Sequence, residues 1–321
     1  MRRFSSFFVA GSLLAFAGCG GSTSPAAPST YTPPTNTGPY FYVTDGGTNV
    51  LQLPQAQVGS VNPASIINGP NTGLQTASGI ARDSAGDVYV ANQTQNQILV
   101  FPPALAGNVT PARQIAGSAT GLGSPTGIAI DSQGRLVVAN QSGNSVTVYA
   151  AGATGNAAPV LTVAGAATGL NAPAGVAFDA AGNLYVANFQ GSITIYASGA
   201  SGNAAPARTI AGTATGLNGP AGVTLDPSGD VFVANANGNS ITEFAAGASG
   251  NVAPAQTISG PNTLLSEPQE LVIGASGQLI VSNYNVPGSA GLITSYQAGA
   301  SGNVAPSATI TGFFGPIGVS L

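Results

Sequence analysis

The stretch that decides the fold is APAGVAFDAAGNLYVANFQGSITIYASGASGNAAPARTIAGTATGLN, residues 172–218. It follows a near copy of itself, SPTGIAIDSQGRLVVANQSGNSVTVYAAGATGNAAPVLTVAGAATGLN, residues 124–171. Each unit carries four short β-type runs. In the earlier copy these are GIAI (127–130), RLVVAN (135–140), SVTVY (145–149) and PVLTVAG (159–165). Asp131-Ser132-Gln133-Gly134 and Gly143-Asn144 supply the turns between the first three, through Asx capping and the positive φ that Gly and Asn tolerate. Runs this short, apolar and β-branched read as buried strands. The Asn that closes the second run recurs at Asn92, Asn140, Asn188, Asn235 and Asn283, at spacings of 48, 48, 47 and 48 residues, and Asp45 takes its place one period earlier. The chain therefore holds six copies of one supersecondary unit.

A lone four-stranded antiparallel sheet cannot bury both faces, so the copies must stack. The two ends of the repeat decide how. The first copy begins at PYFYVTD (39–45) without its own first strand, and the last stops after FGPIGVSL (314–321), which reads as a first strand. The expected fold is all-β: a six-bladed β-propeller of four-stranded antiparallel blades over residues 40–321, closed by pairing of the C-terminal strand with the N-terminal blade.

Residues 1–19, MRRFSSFFVAGSLLAFAGC, read as an export signal, with Arg2 and Arg3 before an apolar run from Phe7 to Ala17 that is too short to span a bilayer as a helix. Ala17-Gly18-Cys19 resembles a bacterial lipobox, which implies cleavage before Cys19 and its lipidation; Phe16 stands where that pattern prefers Leu. Ordinary cleavage after Ala17 is the alternative. Residues 20–39, rich in Pro, Ser, Thr and Gly, read as a flexible tether. The expectation is an exported bacterial protein, anchored to a membrane through its N-terminal lipid alone and facing the periplasm or the cell exterior, and a monomer.

Composition excludes several chemistries. The 321 residues include six Arg, ten acids, one Cys, and no Lys, His or Trp. There is no imidazole for a Ser-His-Asp triad or a His-bound metal, and one Cys forms neither an intrachain disulfide nor a thiolate cluster. Loss of Arg2 and Arg3 on processing leaves four Arg against ten acids, a net charge of −6, so nucleic acid is not an expected partner.

Pro173-Ala174-Gly175-Val176-Ala177-Phe178-Asp179, then Gly182-Asn183-Leu184-Tyr185-Val186-Ala187-Asn188 and Ile193-Thr194-Ile195-Tyr196, resemble the NHL repeat. The resemblance recurs in all six copies and implies the same propeller; it does not imply one function, because NHL propellers serve several. Asn stands where the family usually has Asp after Val-Ala, and Ser or Gln stands where it usually has Arg in the next turn, as in Asn144-Ser145 and Asn96-Gln97. The basic face of RNA-binding members is therefore missing.

Loops at the second-strand exits form the usual ligand face of a propeller. Candidate ligand-binding residues there are Asn92, Asn140, Asn188, Phe189, Asn235, Asn283 and Tyr284, with Gln93, Gln95, Gln141, Gln190 and Asn237 in the following loops. Amides donate and accept together, which suits sugars or peptide backbone; the same amides at every blade end also suit internal hydrogen bonding. Asp83, Asp131, Asp179 and Asp226 read as turn caps on the opposite face. The Gly of Pro-x-Gly recurs at Gly127, Gly175 and Gly222, but the fifth interval replaces it with Glu270, expected at the upper rim of the channel. With Asp45 it forms a candidate oxygen site for Ca²⁺; otherwise no cofactor is expected. The loops of the AGATGNAAP type (151–159) and its repeats read as turns, or as a partner surface.

The leading expectation is a binding module that presents a neutral Asn/Gln-rich face to a glycan, a peptide or a cell-envelope protein, rather than an enzyme. The alternatives are a metal-dependent lactonase or lyase-like propeller, for which the gluconolactonase and regucalcin family offers an analogy in ligand inventory, and a purely structural surface protein.

Overall fold

The computed structural model describes residues 40–54, 59–60, 63–103, 106–286, 289–312 and 314–321. Residues 1–39, read from sequence as an export signal with Cys19 and a tether, lie outside the described residues. Among those described, no helix is long and apolar enough to cross a membrane.

Six antiparallel sheets form the blades. From the inner strand outward, blade 2 is Ala77–Arg82, Val88–Asn92, Gln97–Phe101 and Arg113–Ile115, and blade 3 is Pro125–Ile130, Leu136–Asn140, Ser145–Tyr149 and Leu161–Ala164. Blade 4 is Pro173–Phe178, Leu184–Asn188, Ser192–Tyr196 and Arg208–Ala211; blade 5 is Pro220–Leu225, Val231–Asn235, Ser240–Phe244 and Gln256–Ser259. Blade 6 is Pro268–Ile273, Leu279–Val286, Ser289–Tyr296 and Ala308–Thr311; its middle hairpin has two eight-residue strands, against five-residue strands in blades 2 to 5.

Blade 1 joins the two ends of the chain. Tyr40–Thr44, Val50–Pro54 and Ser65–Ile67 form its outer three strands, and Val319–Ser320 supplies the inner one, with Tyr42 opposite Ser320 and Val43 opposite Val319. The Gly318 N–H donates to Thr44 Oγ1 at 2.8 Å. The ring is sealed at its periphery as well, where Gly59–Ser60 pairs in parallel with Ile310 and Thr311 of blade 6. Closure covers the blade faces that an open stack would expose at its two ends, and the strand edges that remain are short.

The core lies between blades. Val137, Ala139 and Val146 of blade 3 pack on Val176, Leu184 and Val186 of blade 4. The last interface is built the same way, from Phe41, Val43, Leu51 and Leu53 of blade 1 against Ile280, Ile293 and Ile310 of blade 6. In blades 2 to 6 one aromatic of the third strand fills the outer space: Phe101, Tyr149, Tyr196, Phe244 and Tyr296 are fully buried, and Leu53 is buried in the third strand of blade 1. The tyrosines keep a hydrogen bond there, Tyr149 to Thr120 O at 2.5 Å and Tyr196 to Thr168 O at 2.6 Å. Burial pushes the Tyr149 and Tyr296 hydroxyls up to about 12.

The repeated Gly-Asn loops are clasps between blades. Gly155, in the loop after the third strand of blade 3, donates to Gln114 O at 2.6 Å and accepts from the Ala116 N–H at 3.0 Å, both on blade 2. Its neighbour Asn156 accepts the Ala119 N–H at 2.7 Å. Gly202 with Asn203 and Gly250 with Asn251 repeat this on blades 3 and 4. Their recurrence follows from this docking, which turn chemistry within the loop does not describe.

Candidate functional site

Inner strands run edge-on around the channel, and their backbones meet at one level. A Cβ added to Gly127 would lie 2.3 Å from Ala174 O and 2.8 Å from Gly175 Cα; one added to Gly175 would lie 2.5 Å from Ala221 O and 2.9 Å from Gly222 Cα. Gly79 and Gly318 are as tight. This ring of glycines forms the waist of the channel, because any side chain there collides with the next blade's backbone. Glu270 occupies the sixth position.

Above the waist opens a cavity of about 160 Å³. All six residues that precede the waist positions line it: Ser78, Thr126, Ala174, Ala221, Gln269 and Ile317. Gln93, Gln141 and Phe189 come in from the second-strand exits, and Glu270 reaches it from the waist. Below the waist lies a chamber of about 320 Å³, walled by Ile80, Ile128, Val176, Val223, Leu271 and Val319, which Glu270 also lines. The hydroxyls at the mouth tie blades together. Ser78 donates to Pro125 O at 3.0 Å, Thr126 to Pro173 O at 3.2 Å, and Ser282 to Ile317 O at 2.6 Å.

The asparagines expected on this face are inside it. Asn92, Asn140, Asn188, Asn235 and Asn283 are 0 % exposed. Each Oδ1 accepts the backbone N–H of the segment that leads into the inner strand, as Asn171 N–H does to Asn188 at 3.0 Å and Asn218 N–H to Asn235 at 3.1 Å. Each Nδ2 is held as well: Asn140 by Thr147, Asn188 by Thr194, Asn235 by Thr242 and Asn283 by Thr294, and Asn92 by Gly73 O. An unpaired buried amide is costly, so these side chains close the blade ends and present nothing to a ligand. Of the residues first singled out, Phe189 lines the cavity; Tyr284 is 45 % exposed on the longer blade 6 hairpin and stands outside the lining.

The cavity lining includes Glu270 but not Asp45, the other carboxylate expected there. Asp45 caps its own turn, accepting the N–H groups of Gly47 at 2.9 Å and Asn49 at 3.1 Å and the Asn49 side-chain amide. Among the described residues no three His, Cys, Asp or Glu side chains come together as a metal site. Glu270 itself is deeper than the rim. Burial pushes its carboxyl up to about 8, against a small opposing effect of the Leu271 N–H, so it is largely protonated at neutral pH. The turn aspartates behave as read from sequence. Asp179 accepts Ala181 N–H at 3.0 Å and Asn183 N–H at 2.9 Å. Burial opposes its ionisation, but the bonds from Asn183 and Ala181 outweigh that and hold its carboxyl below the usual range.

Serine, threonine and glutamine immediately before the waist residue (Ser78 after Ala77, Thr126 and Gln269 after Pro) were the signal missed in sequence. The x of Pro-x-Gly varies from blade to blade while its neighbours repeat, and the fold points it into the mouth.

The NHL repeat family model matches residues 217–244, across the inner hairpin and third strand of blade 5. The fold is a six-bladed β-propeller, and an NHL repeat is matched in one of its blades. A second family model, a lactonase described as a seven-bladed β-propeller, matches residues 36–160, while this propeller has six blades. Among curated proteins none matches in sequence. Solved structures similar to this propeller include a protein of unknown function from Bacteroides caccae, with TM-score 0.64 and 10 % identity over 88 % of this chain and 97 % of that one. A chain of a nidogen–laminin complex aligns with TM-score 0.59 and 16 % identity over 88 % and 97 %. A putative 6-phosphogluconolactonase from Bacteroides uniformis aligns with TM-score 0.58 and 17 % identity over 87 % and 83 %. Identities this low speak to the fold alone.

Proposed function

We propose that this propeller is an exported, lipid-anchored binding module, and that the channel mouth is where it takes its ligand, a glycan or peptide of the cell envelope. One observation carries the reading: the mouth is a concave site whose lining combines Gln93, Gln141 and Gln269, the Phe189 ring and the Glu270 carboxyl. A few convergent polar groups beside an aromatic are what a recognition site needs. A metal-dependent lactonase would need a cluster of oxygen ligands, and the lining carries one carboxylate. Lipidation rests on Cys19, the one Cys of the chain.

A screen of envelope glycans and peptides by ligand-observed NMR tests the site, with Gln141→Ala and Phe189→Ala as variants. Loss of binding in both supports the mouth; binding that both variants leave unchanged overturns it. Fatty-acid labelling of the expressed chain, compared with Cys19→Ala, tests the anchor.

A further inference from the structure

The waist sets one side chain apart. Five of its six positions are Gly79, Gly127, Gly175, Gly222 and Gly318, and the sixth carries an acid. The Glu270 carboxyl accepts one hydrogen bond, a long one of 3.4 Å from the Leu271 N–H to Oε1. The side chain is half-buried and opens on the cavity, and among the described residues no protein group donates to Oε2.

Among the described residues no cation is placed to pair with it. The chain has no Lys and no His. Arg113 is bound to Asp87 and Arg135 to Asp131, each at 2.6 Å, and Arg208 donates to the Tyr185 hydroxyl at 2.9 Å. Arg82 lines the lower chamber, but its guanidinium stacks on Tyr42 at 4.8 Å. It sits three residues down its strand from Gly79, about 10 Å from the waist at the rise of a β-strand. The strand Pro220–Leu225, packed beside Glu270, has no titratable side chain; Leu279–Val286 brings Tyr284, which is exposed; and Val319–Ser320 brings none. The terminal residue Leu321 lines a depression on the opposite face.

A half-buried carboxyl with one long internal hydrogen bond is stabilised by a ligand that brings positive charge and N–H donors. The mouth offers such a group more than the acid. Phe189 provides a ring face for a cation, the glutamines provide acceptor oxygens, and the free edges of the inner strands provide carbonyls.

We infer that the mouth cavity selects small ligands that carry a primary ammonium group, and that this group seats against Glu270. The inference rests on the mouth being the binding site. Binding is coupled to proton release: the protonated Glu270 meets the ligand ammonium, its carboxyl proton leaves to solvent, and a carboxylate–ammonium pair remains.

The test uses the purified full chain with two matched pairs of probes, ethanolamine against ethylene glycol and glucosamine against glucose. Calorimetry is run in two buffers of different ionisation enthalpy. The amines are expected to bind at least tenfold tighter than their hydroxyl partners and to release close to one proton at pH 6.5. Ethanolamine affinity should rise about tenfold from pH 6 to pH 7 and level off above about 8, where Glu270 is already ionised, whereas glucosamine affinity should fall there as its own amine loses its proton. Glu270→Gln and Glu270→Gly should both lose the preference and the proton release. The second variant restores the glycine of the other five waist positions, so it keeps the test valid if the first misfolds. Hydroxyl probes that bind as tightly as the amines, or variants that keep the amine preference, overturn the ammonium inference and leave the mouth standing. Failure of all four probes to bind overturns both.

Discussion

A methyl group on Gly222 would lie 2.9 Å from the Cα of Glu270 and 3.0 Å from its Oε1. The waist of blade 5 thus leaves the space that the blade 6 acid fills. Gln269 O is nearer still, at 2.5 Å from the same point, so backbone as well as side chain would have to move. Gly222→Ala should destabilise the propeller by about 1–3 kcal/mol through overpacking. Urea unfolding measures this, and a midpoint equal to wild type would contradict the tight waist.

Stability should depend on pH through Glu270. Its folded-state carboxyl holds a proton up to about 8, whereas an unfolded Glu releases it near 4.5. Between those values the folded chain binds more protons than the unfolded chain, so stability falls as pH rises. The slope is about 1.4 kcal/mol per pH unit at most. Glu243, which burial and then Asp230 and Asp226 push upward, acts in the same direction. Glu270→Gln should therefore flatten most of the decline in thermal midpoint between pH 5 and 8. A wild-type profile that is flat or rising there would show the carboxyl ionised in the fold.

Asn188→Ala should act on stability and not on ligand capture. It leaves the Thr194 hydroxyl without this partner in a fully buried place and the Asn171 N–H without its acceptor in a part-buried one, at about 2 kcal/mol. Chemical denaturation should show that loss, while binding at the mouth, measured well below the melting point, stays as in wild type. Altered affinity with unchanged stability would return the asparagine to the ligand face.

How far the sequence could be read follows the same division. A repeat of 47 or 48 residues fixes strand order, blade number and the pairing of Val319 with Val43, because each copy poses the same packing problem and has the same solution. The turn role of Asp179 was legible for the same reason. The side of the sheet on which a polar group ends was not. Asn188 and Gln141 are both amides at a blade exit, yet one is fully buried and the other lines the cavity. Glu270 was legible as a break in the repeat, but its depth depends on neighbouring backbones that only the assembled ring brings together.

The Gly-Asn clasps give the last prediction. Asn156 and Asn203 each accept a backbone N–H of the preceding blade at 2.7 Å, and each sits where a Cβ on Gly117 or Gly165 would meet it at 2.4 Å. That fit explains why glycine precedes each of these short turns, with φ of +127° at Gly117 and +123° at Gly165. Each bond caps a turn at the surface, so Asn156→Ala and Asn203→Ala should each cost about 0.5–1 kcal/mol, in the range of a lost cap. The two clasps dock on different blades, on Ala119 beyond blade 2 and Ala167 beyond blade 3, and share no partner. The double variant should then lose the sum of the two within about 0.5 kcal/mol, which urea titration resolves. A double variant as stable as wild type would mean that the loops do not hold neighbouring blades together and would return them to the pool of candidate partner surfaces.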